Sequence, residues 1–186
     1  STTYRILSTL EEYGYASRLK NKDYVFGTQA LYLSAIYTQS NHLEQIRPII
    51  DAIRDISGET ASFFVDEDSM RICLYRAHSR DEIRHNIEQS SRLVLSRGAS
   101  GRIILAYGKR KNDKTGICKE IRDAGYYLAI HEHNSSLFAL AVPVISSSSK
   151  FVGAIVVSGP ISRFNEKQKI FLLKLLRSQL DNIVVP

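Results

Sequence analysis

The sequence is poor in the residue types that usually announce a chemistry. Its 186 residues include no tryptophan, one methionine, four prolines and two cysteines. Cys73 and Cys118 lie far apart, so they form neither a C-x-x-C pair nor a disulfide framework and read as reduced, buried thiols of a cytoplasmic protein. No apolar run reaches the roughly 18 residues of a membrane span and there is no secretory signal, which argues against a membrane partner. There is no P-loop and no G-x-G-x-x-G; Gly98-x-x-Gly101 is too short for either. Ser158 in VVSGP lacks the second glycine of a G-x-S-x-G elbow, and no Ser/His/Asp set stands out. His131-Glu132-His133 places two imidazoles on one face of a strand, but no further Cys or His stands at a ligand spacing. The expectation is no catalytic residue, no metal and no cofactor. A pocket without a reactive constellation suits sensing better than catalysis.

What is present begins with Leu93–Tyr107, LVLSRGASGRIILAY. Leu93 and Leu95 alternate as in a half-buried strand, Gly98 and Gly101 bracket Ala99 and Ser100, and Ile103, Ile104, Leu105 and Tyr107 give a helix an apolar face. A helix opening on small residues presents free backbone N–H groups, a site for a carboxylate; the alternative is a tight packing turn. The balance of 25 basic against 19 acidic side chains leaves +6, which permits a nucleic-acid partner without requiring one.

Along the chain, Ser1–Tyr13 reads as a helix with capping hydroxyls at Ser1, Thr2 and Thr3, an apolar face of Ile6, Leu7 and Leu10, and a stop at Gly14. Tyr15–Leu19 and Tyr24–Gly27 form a hairpin about Lys20-Asn21-Lys22-Asp23. A short helix before a basic-tipped hairpin is the second half of a winged helix-turn-helix. The short donors and arginine of Ser1, Thr2, Thr3, Tyr4 and Arg5 suit phosphate and base-edge contacts with double-stranded DNA; an ordinary capped surface helix is the alternative. The chain starts at Ser1 inside a helical pattern and without Met, so it is expected to lack a first segment. Thr28–Ser40 is apolar on too many sides for a surface helix and is expected to be buried on two, against a second copy of the chain. Leu43, Ile46, Ile49, Ile50, Ile53 and Ile56 mark a third helix ending at Gly58, with Pro48 kinking it or marking its true start.

Beyond Glu59 the period changes to two. Strands are predicted over ETASFFVD and MRICLYRA, around Glu67-Asp68-Ser69, and less clearly over Glu82–Glu88. Lys109–Lys114 reads as a solvated loop and Thr115–Ala124 as a helix. Three more strands follow over Tyr126–Glu132, Leu137–Ile145 and Phe151–Ser158, with a serine turn at Ser146–Ser149. Asn165 caps a last helix whose Ile170, Phe171, Leu173, Leu176, Leu180 and Ile183 are expected to point inward.

Three groups of segments together resemble the IclR-type family of bacterial transcription regulators. STTYRILSTLEEYGY with YVFG is similar to that family's recognition helix and wing. SGET and RGASGRIILAY follow, then GYYLAIHEH, ALAVPV and GAIVVSGPISRF before a helix. The segments keep the family's order over nearly the whole chain, GET and SGPISR being the most specific; the first half of the family's DNA-binding domain is not in the sequence. The resemblance implies an α+β chain with three parts. Residues 1–27 would be a partial winged helix-turn-helix, 28–42 a linker and dimerisation helix, and 43–186 a GAF-like effector domain, an antiparallel sheet flanked by helices. It implies a homodimer or a dimer of dimers, a DNA operator and a small carboxylate effector.

The effector site would be lined by Gly98, Ala99, Ser100 and Gly101, with Ala129, Ala139, Val156 and Ser158 on later strands and Arg84 as an ion-pair candidate. Glu132 lies close by and would accept a ligand hydroxyl, or be a solvated strand-end carboxylate. Members that sense small keto acids tend to carry an acid, a cysteine and a serine where this chain has Ala129, Ala139 and Val156. The resemblance therefore suggests a larger or partly apolar acid, such as an aromatic carboxylate. Rival readings are a sensor or dimerisation module that does not touch DNA, and an enzyme on the same fold.

Overall fold

The computed structural model describes residues 1–40, 42–82, 92–108, 116–132 and 136–181, with the side chains of residues 39 and 40 left aside. The chain divides into two compact units, Ser1–Glu44 and Gln45–Pro186. Among the described residues no helix is long and apolar enough to cross a membrane.

In the first unit, α1 (Thr2–Glu12) starts where the Ser1 hydroxyl accepts the Tyr4 N–H at 3.4 Å. It stops at Gly14, whose φ of +73° is a left-handed turn. Strands β1 (Ala16–Arg18) and β2 (Tyr24–Phe26) pair antiparallel. Their turn is held by Asn21, which accepts from the Asp23 N–H at 3.1 Å and donates to its carboxylate at 2.7 Å. Gly27 lies so close to Gly14 that a Cβ would fall 2.1 Å from the Gly14 carbonyl. Helix α2 (Gln29–Ser40) exposes its large apolar side chains: Leu31, Tyr32, Leu33, Ile36 and Tyr37 all face solvent. Burial on two sides is thus not met within one chain, since its apolar residues fall all round the axis.

Helix α3 (Leu43–Ser57) leads into the second unit and buries Ile46, Ile49, Ile50 and Ile53, while Ile56 stays exposed. Pro48 sits inside it, so it does not mark the start. Gly58 ends it at φ +74°. The sheet is six-stranded and wholly antiparallel, built from β3 (Thr60–Glu67), β4 (Met70–Ala77), β5 (Arg92–Val94), β6 (Tyr127–Ile130), β7 (Leu137–Ile145) and β8 (Phe151–Pro160) in the order β5-β4-β3-β8-β7-β6. All of the strand expected over Glu82–Glu88 except Glu82 itself, the loop at Lys109–Lys114 and Ile183 lie outside the described residues.

Alternation gives the sheet two buried faces. One packs Phe64, Cys73, Ala129, Ala141, Ala154 and Val156 against α4 (Ala99–Tyr107) and α5 (Ile117–Ala124). The other carries Phe63, Phe138, Leu140 and Ile155, all fully buried; there Tyr75 reaches Asp51 of α3 and Phe138 stacks on Phe164 at 4.4 Å. Helix α6 (Glu166–Leu180), capped by the Asn165 side-chain Oδ1, which accepts the Gln168 N–H, buries Leu172, Leu175 and Leu176. Ile170 and Phe171 are exposed, contrary to expectation: the capped start sets the phase, and the i, i+3, i+4 set that faces inward begins at Leu172.

Candidate functional site

The strand register assembles a cavity beneath the start of α4. Ser62 of β3 lies opposite Val156 of β8, and Ser158 of β8 lies opposite Ala139 of β7. These side chains share the face that packs on α4, and with Gly98, Ala99 and Ser100 above them they form a small recess that opens to solvent. Gly98 has φ +74°, which admits the chain to the helix in a conformation other residues rarely adopt. No side chain caps α4, so its first amides are left for other acceptors.

Two arginines complete the wall, and neither was expected there. Arg71 and Arg76 of β4 both line the cavity with only 5% and 7% of their surface exposed. They lie an odd number of residues apart, so simple alternation sends them to opposite faces. A bulge rephases the strand: Phe63 pairs with Tyr75 while Phe64 pairs with Cys73, leaving Leu74 as the extra residue. Arg71, Cys73 and Arg76 then share one face, and Tyr75 turns to the other. Both guanidinium groups lie over the Phe64 ring, at 5.6 and 5.9 Å from its centre.

Arg71 donates from Nη1 to the Ser100 hydroxyl at 2.5 Å, tying the strand to the first turn of α4. Burial, reinforced by the charge of Arg76, pushes Arg71 down to about 10, so it remains a cation at neutral pH. Its Nε and the Ser62 hydroxyl are buried in the cavity wall and find no hydrogen-bond partner among the described residues. No acidic side chain lines the cavity among those residues. Burial raises the Cys73 thiol, which therefore stays protonated.

Glu132 stands beside the cavity rather than in its wall. Its carboxylate accepts from the Gly98 N–H at 3.2 Å and from the Tyr127 hydroxyl at 2.6 Å. Burial and then this hydrogen bond push the Tyr127 phenol up to about 12, which keeps it the donor. The carboxylate thus already occupies one of the amides at the head of α4, the geometry a ligand acid would adopt.

Of the residues expected at the site, Gly98, Ala99, Ser100, Ala139, Val156 and Ser158 converge on the cavity. Gly101 and Ala129 do not line it. Gly101 packs on the Leu95 carbonyl, 2.2 Å from where a Cβ would sit, and Ala129 is part of the core under α4. Arg84 and His133 lie outside the described residues. Arg71, Arg76 and Ser62 add polar groups to a lining that also carries Phe64, Ala99, Ala139 and Val156. In the first unit, Ser1, Thr2, Thr3, Tyr4 and Arg5 are all exposed, and Thr2, Arg5, Ile6, Thr9 and Leu10 border an open groove along α1.

The motifs most specific to the resemblance prove to be one clasp. Arg163 donates from Nε and Nη2 to the two oxygens of buried Glu59, at 2.7 and 2.8 Å, and its Nη1 lies 3.2 Å from Asp81. Gly159 leaves room for that carboxylate, which lies 2.1 Å from where a Cβ would stand. Thr60 accepts the Ser79 N–H, and the Ser79 hydroxyl donates to the Gly58 carbonyl at 2.6 Å. GET and SGPISR therefore hold one end of the central β3–β8 pair and do not touch the cavity wall except through Ser158.

The chain is similar to known proteins. The family model described as bacterial transcriptional regulator IclR C-terminal matches residues 115–184. The HTH-type transcriptional regulator BhcR of Paracoccus denitrificans is 24% identical over 190 residues, covering 89% of this chain and 68% of that protein. The transcriptional repressor IclR of Escherichia coli is 23% identical over 192 residues, covering 89% and 70%. The crystal structure of an IclR transcriptional regulator from Alicyclobacillus acidocaldarius superposes with a TM-score of 0.80 at 20% identity, over 95% of this chain and 81% of that one.

Proposed function

We propose that the chain, which is similar to IclR-type bacterial transcriptional regulators, is a DNA-binding switch whose second unit senses a small carboxylic acid. The observation that carries the sensor reading is the buried Arg71 guanidinium, bonded to Ser100 at the head of α4 in a cavity whose described lining holds no acid. A ligand carboxylate set there takes a charge-assisted bond from Arg71, the Ser100 hydroxyl and the open amides of Ala99 and Ser100. Ser158 supplies a further hydroxyl. Glu132 competes for the Gly98 amide, so ligand entry redistributes the bonds that fix the start of α4.

In this reading residues 1–27 read DNA, with Ser1, Thr2, Thr3, Tyr4 and Arg5 of the α1 end in the major groove. Residues 28–42 pair two copies through the exposed apolar surface of α2, and residues 43–186 bind the effector. Ligand binding would change how two recognition helices are spaced, which an operator with paired half-sites detects. The test is a DNA-binding titration of the full-length regulator against the sequence upstream of its own gene, at several salt concentrations and with and without acids. The expected result is a shift in affinity with acid, and an Arg5→Ala variant whose salt slope falls by about 1. DNA affinity that ignores every acid in a broad panel overturns the switch.

A further inference from the structure

We propose that Glu132 is an arm with two seats: in the empty protein its carboxylate holds the Gly98 amide, and an acid entering the cavity displaces it toward Arg102, with Tyr127 as the pivot. This rests on the sensor reading above and adds a residue outside the cavity wall that sets its affinity. The first seat is a pair of bonds. The Glu132 carboxylate accepts from the Gly98 N–H at 3.2 Å and from the Tyr127 hydroxyl at 2.6 Å. Gly98 lines the cavity, whereas Glu132 and Tyr127 do not. His131, just before Glu132, holds a φ of +63°, a left-handed conformation that residues with a side chain rarely adopt. Such strain persists where the surroundings hold it in place, and here it falls at the residue that brings Glu132 to α4.

That seat conflicts with a ligand acid. Ser100, where the acid is expected to bind, stands two residues along the same helix start, and the partial positive charge there suits one anion. Two carboxylates so close repel, and in a partly buried setting salt screens them little. Burial and Arg76 disfavour the Arg71 cation, and Glu132 is among the groups that favour it, so Glu132 stands in for a ligand acid in the empty protein. The second seat lies one turn along α4. Burial and Glu132 raise the Tyr127 phenol while the charge of Arg102 opposes them, which places Arg102 close to the same hydroxyl. The buried Nε of Arg102 finds no hydrogen-bond partner among the described residues. A carboxylate that leaves Gly98 and keeps Tyr127 has that donor to take.

The experiment is calorimetric titration of the intact protein and its variants with propionate, pyruvate and benzoate. Glu132→Gln should tighten the binding of each acid that binds by roughly three- to tenfold. Loss of a negative charge strengthens any nearby anion site, so Tyr127→Phe, which removes no charge, is the decisive variant. It loosens the first seat and should tighten binding by about two- to threefold. Both variants should melt at a lower temperature without ligand, because each lacks a bond of the empty protein. Lower stability with higher affinity is the combination that a purely structural Glu132 does not give. Arg102→Gln should weaken binding by about threefold in the wild-type chain and by much less in the Glu132→Gln background, where no carboxylate needs a second seat. An equal effect in both backgrounds overturns the second seat. Unchanged or weaker binding by Tyr127→Phe overturns the displacement and leaves the sensor reading intact. Binding of none of the acids by the wild-type chain overturns the sensor reading itself, and the arm with it.

Discussion

The second unit uses arginine in two opposite ways. At the end of the central β3–β8 pair, Arg163 is half-exposed and grips both oxygens of a carboxylate that is itself buried; Glu59 first of all holds the guanidinium above its ordinary value. In the cavity, Arg71 is buried more deeply yet touches a neutral hydroxyl, and is pushed below its ordinary value. The first arrangement is closed on itself: every strong donor has its acceptor within the chain. The second is open, with charge and donors oriented toward empty space. A closed ion pair reads as architecture, an open cation as a place for a ligand, and this difference separates the most family-specific motif from the candidate cavity.

The contrast breaks first at the clasp. Arg163→Ala strips the partner from Glu59, which is 3% exposed, and leaves a buried carboxylate with no cation. The expected loss is about 3–5 kcal/mol, read as a fall in the denaturant midpoint. Glu59→Gln should cost less, because Arg163 is 35% exposed and can turn to water or to Asp81. If Glu59→Gln proved the more damaging, the clasp would depend on the carboxylate's other contacts and not on the ion pair.

In the cavity the sign should reverse. Arg71→Met removes a buried cation and keeps its volume, so the empty protein should change by no more than about 1 kcal/mol, and in the stabilising direction. Acid binding by the same variant should weaken roughly a hundredfold, the loss of a charge-assisted contact. A large fall in stability without ligand would show Arg71 to be structural, like Arg163, and would close the gap between the two sites.

Much of this was open to a reader of the sequence, and the limits are physical. Caps and glycines set the helix ends at Ser1, Gly58, Gly125 and Asn165, and period-two runs marked β3, β4, β7 and β8. The head of α4 was legible because small residues there have few other uses. Arg71 and Arg76 were not, since their odd spacing reads as opposite faces and no glycine or proline marks the bulge at Leu74. Helix α6 misled for a different reason. Apolar residues at 170–173 and 175–176 surround its axis, so only the observed cap phase selects Leu172, Leu175 and Leu176. The likeness of GET and SGPISR to a family pattern pointed to their specificity but not to Glu59 and Arg163 as a single bonded pair.

A smaller effect tests the packing that carries the amides to the cavity. Gly101→Ala places a Cβ 2.2 Å from the Leu95 carbonyl, a backbone atom that cannot rotate away. Helix α4 must lift from the preceding segment, at about 1–3 kcal/mol, and acid binding should weaken with it because Ala99 and Ser100 move too. A variant that lost stability but bound acids as before would separate the helix start from the ligand site.

The smallest expected effect is at Ser62. Its hydroxyl is 1% exposed and without a hydrogen-bond partner among the described residues, so in the empty protein it contributes desolvation and no bond. Ser62→Ala therefore removes a cost: stability without ligand should hold or rise by up to about 1 kcal/mol. With a bound acid the sign changes, because the hydroxyl then has an acceptor, and affinity should fall by roughly three- to tenfold. The same atom is unfavourable in one state and useful in the other, the condition the clasp never shows. Paired melting curves with and without a bound acid measure both signs at once. A loss of stability in the unliganded variant would mean that Ser62 is satisfied within the fold, and the cavity would then resemble the clasp in kind.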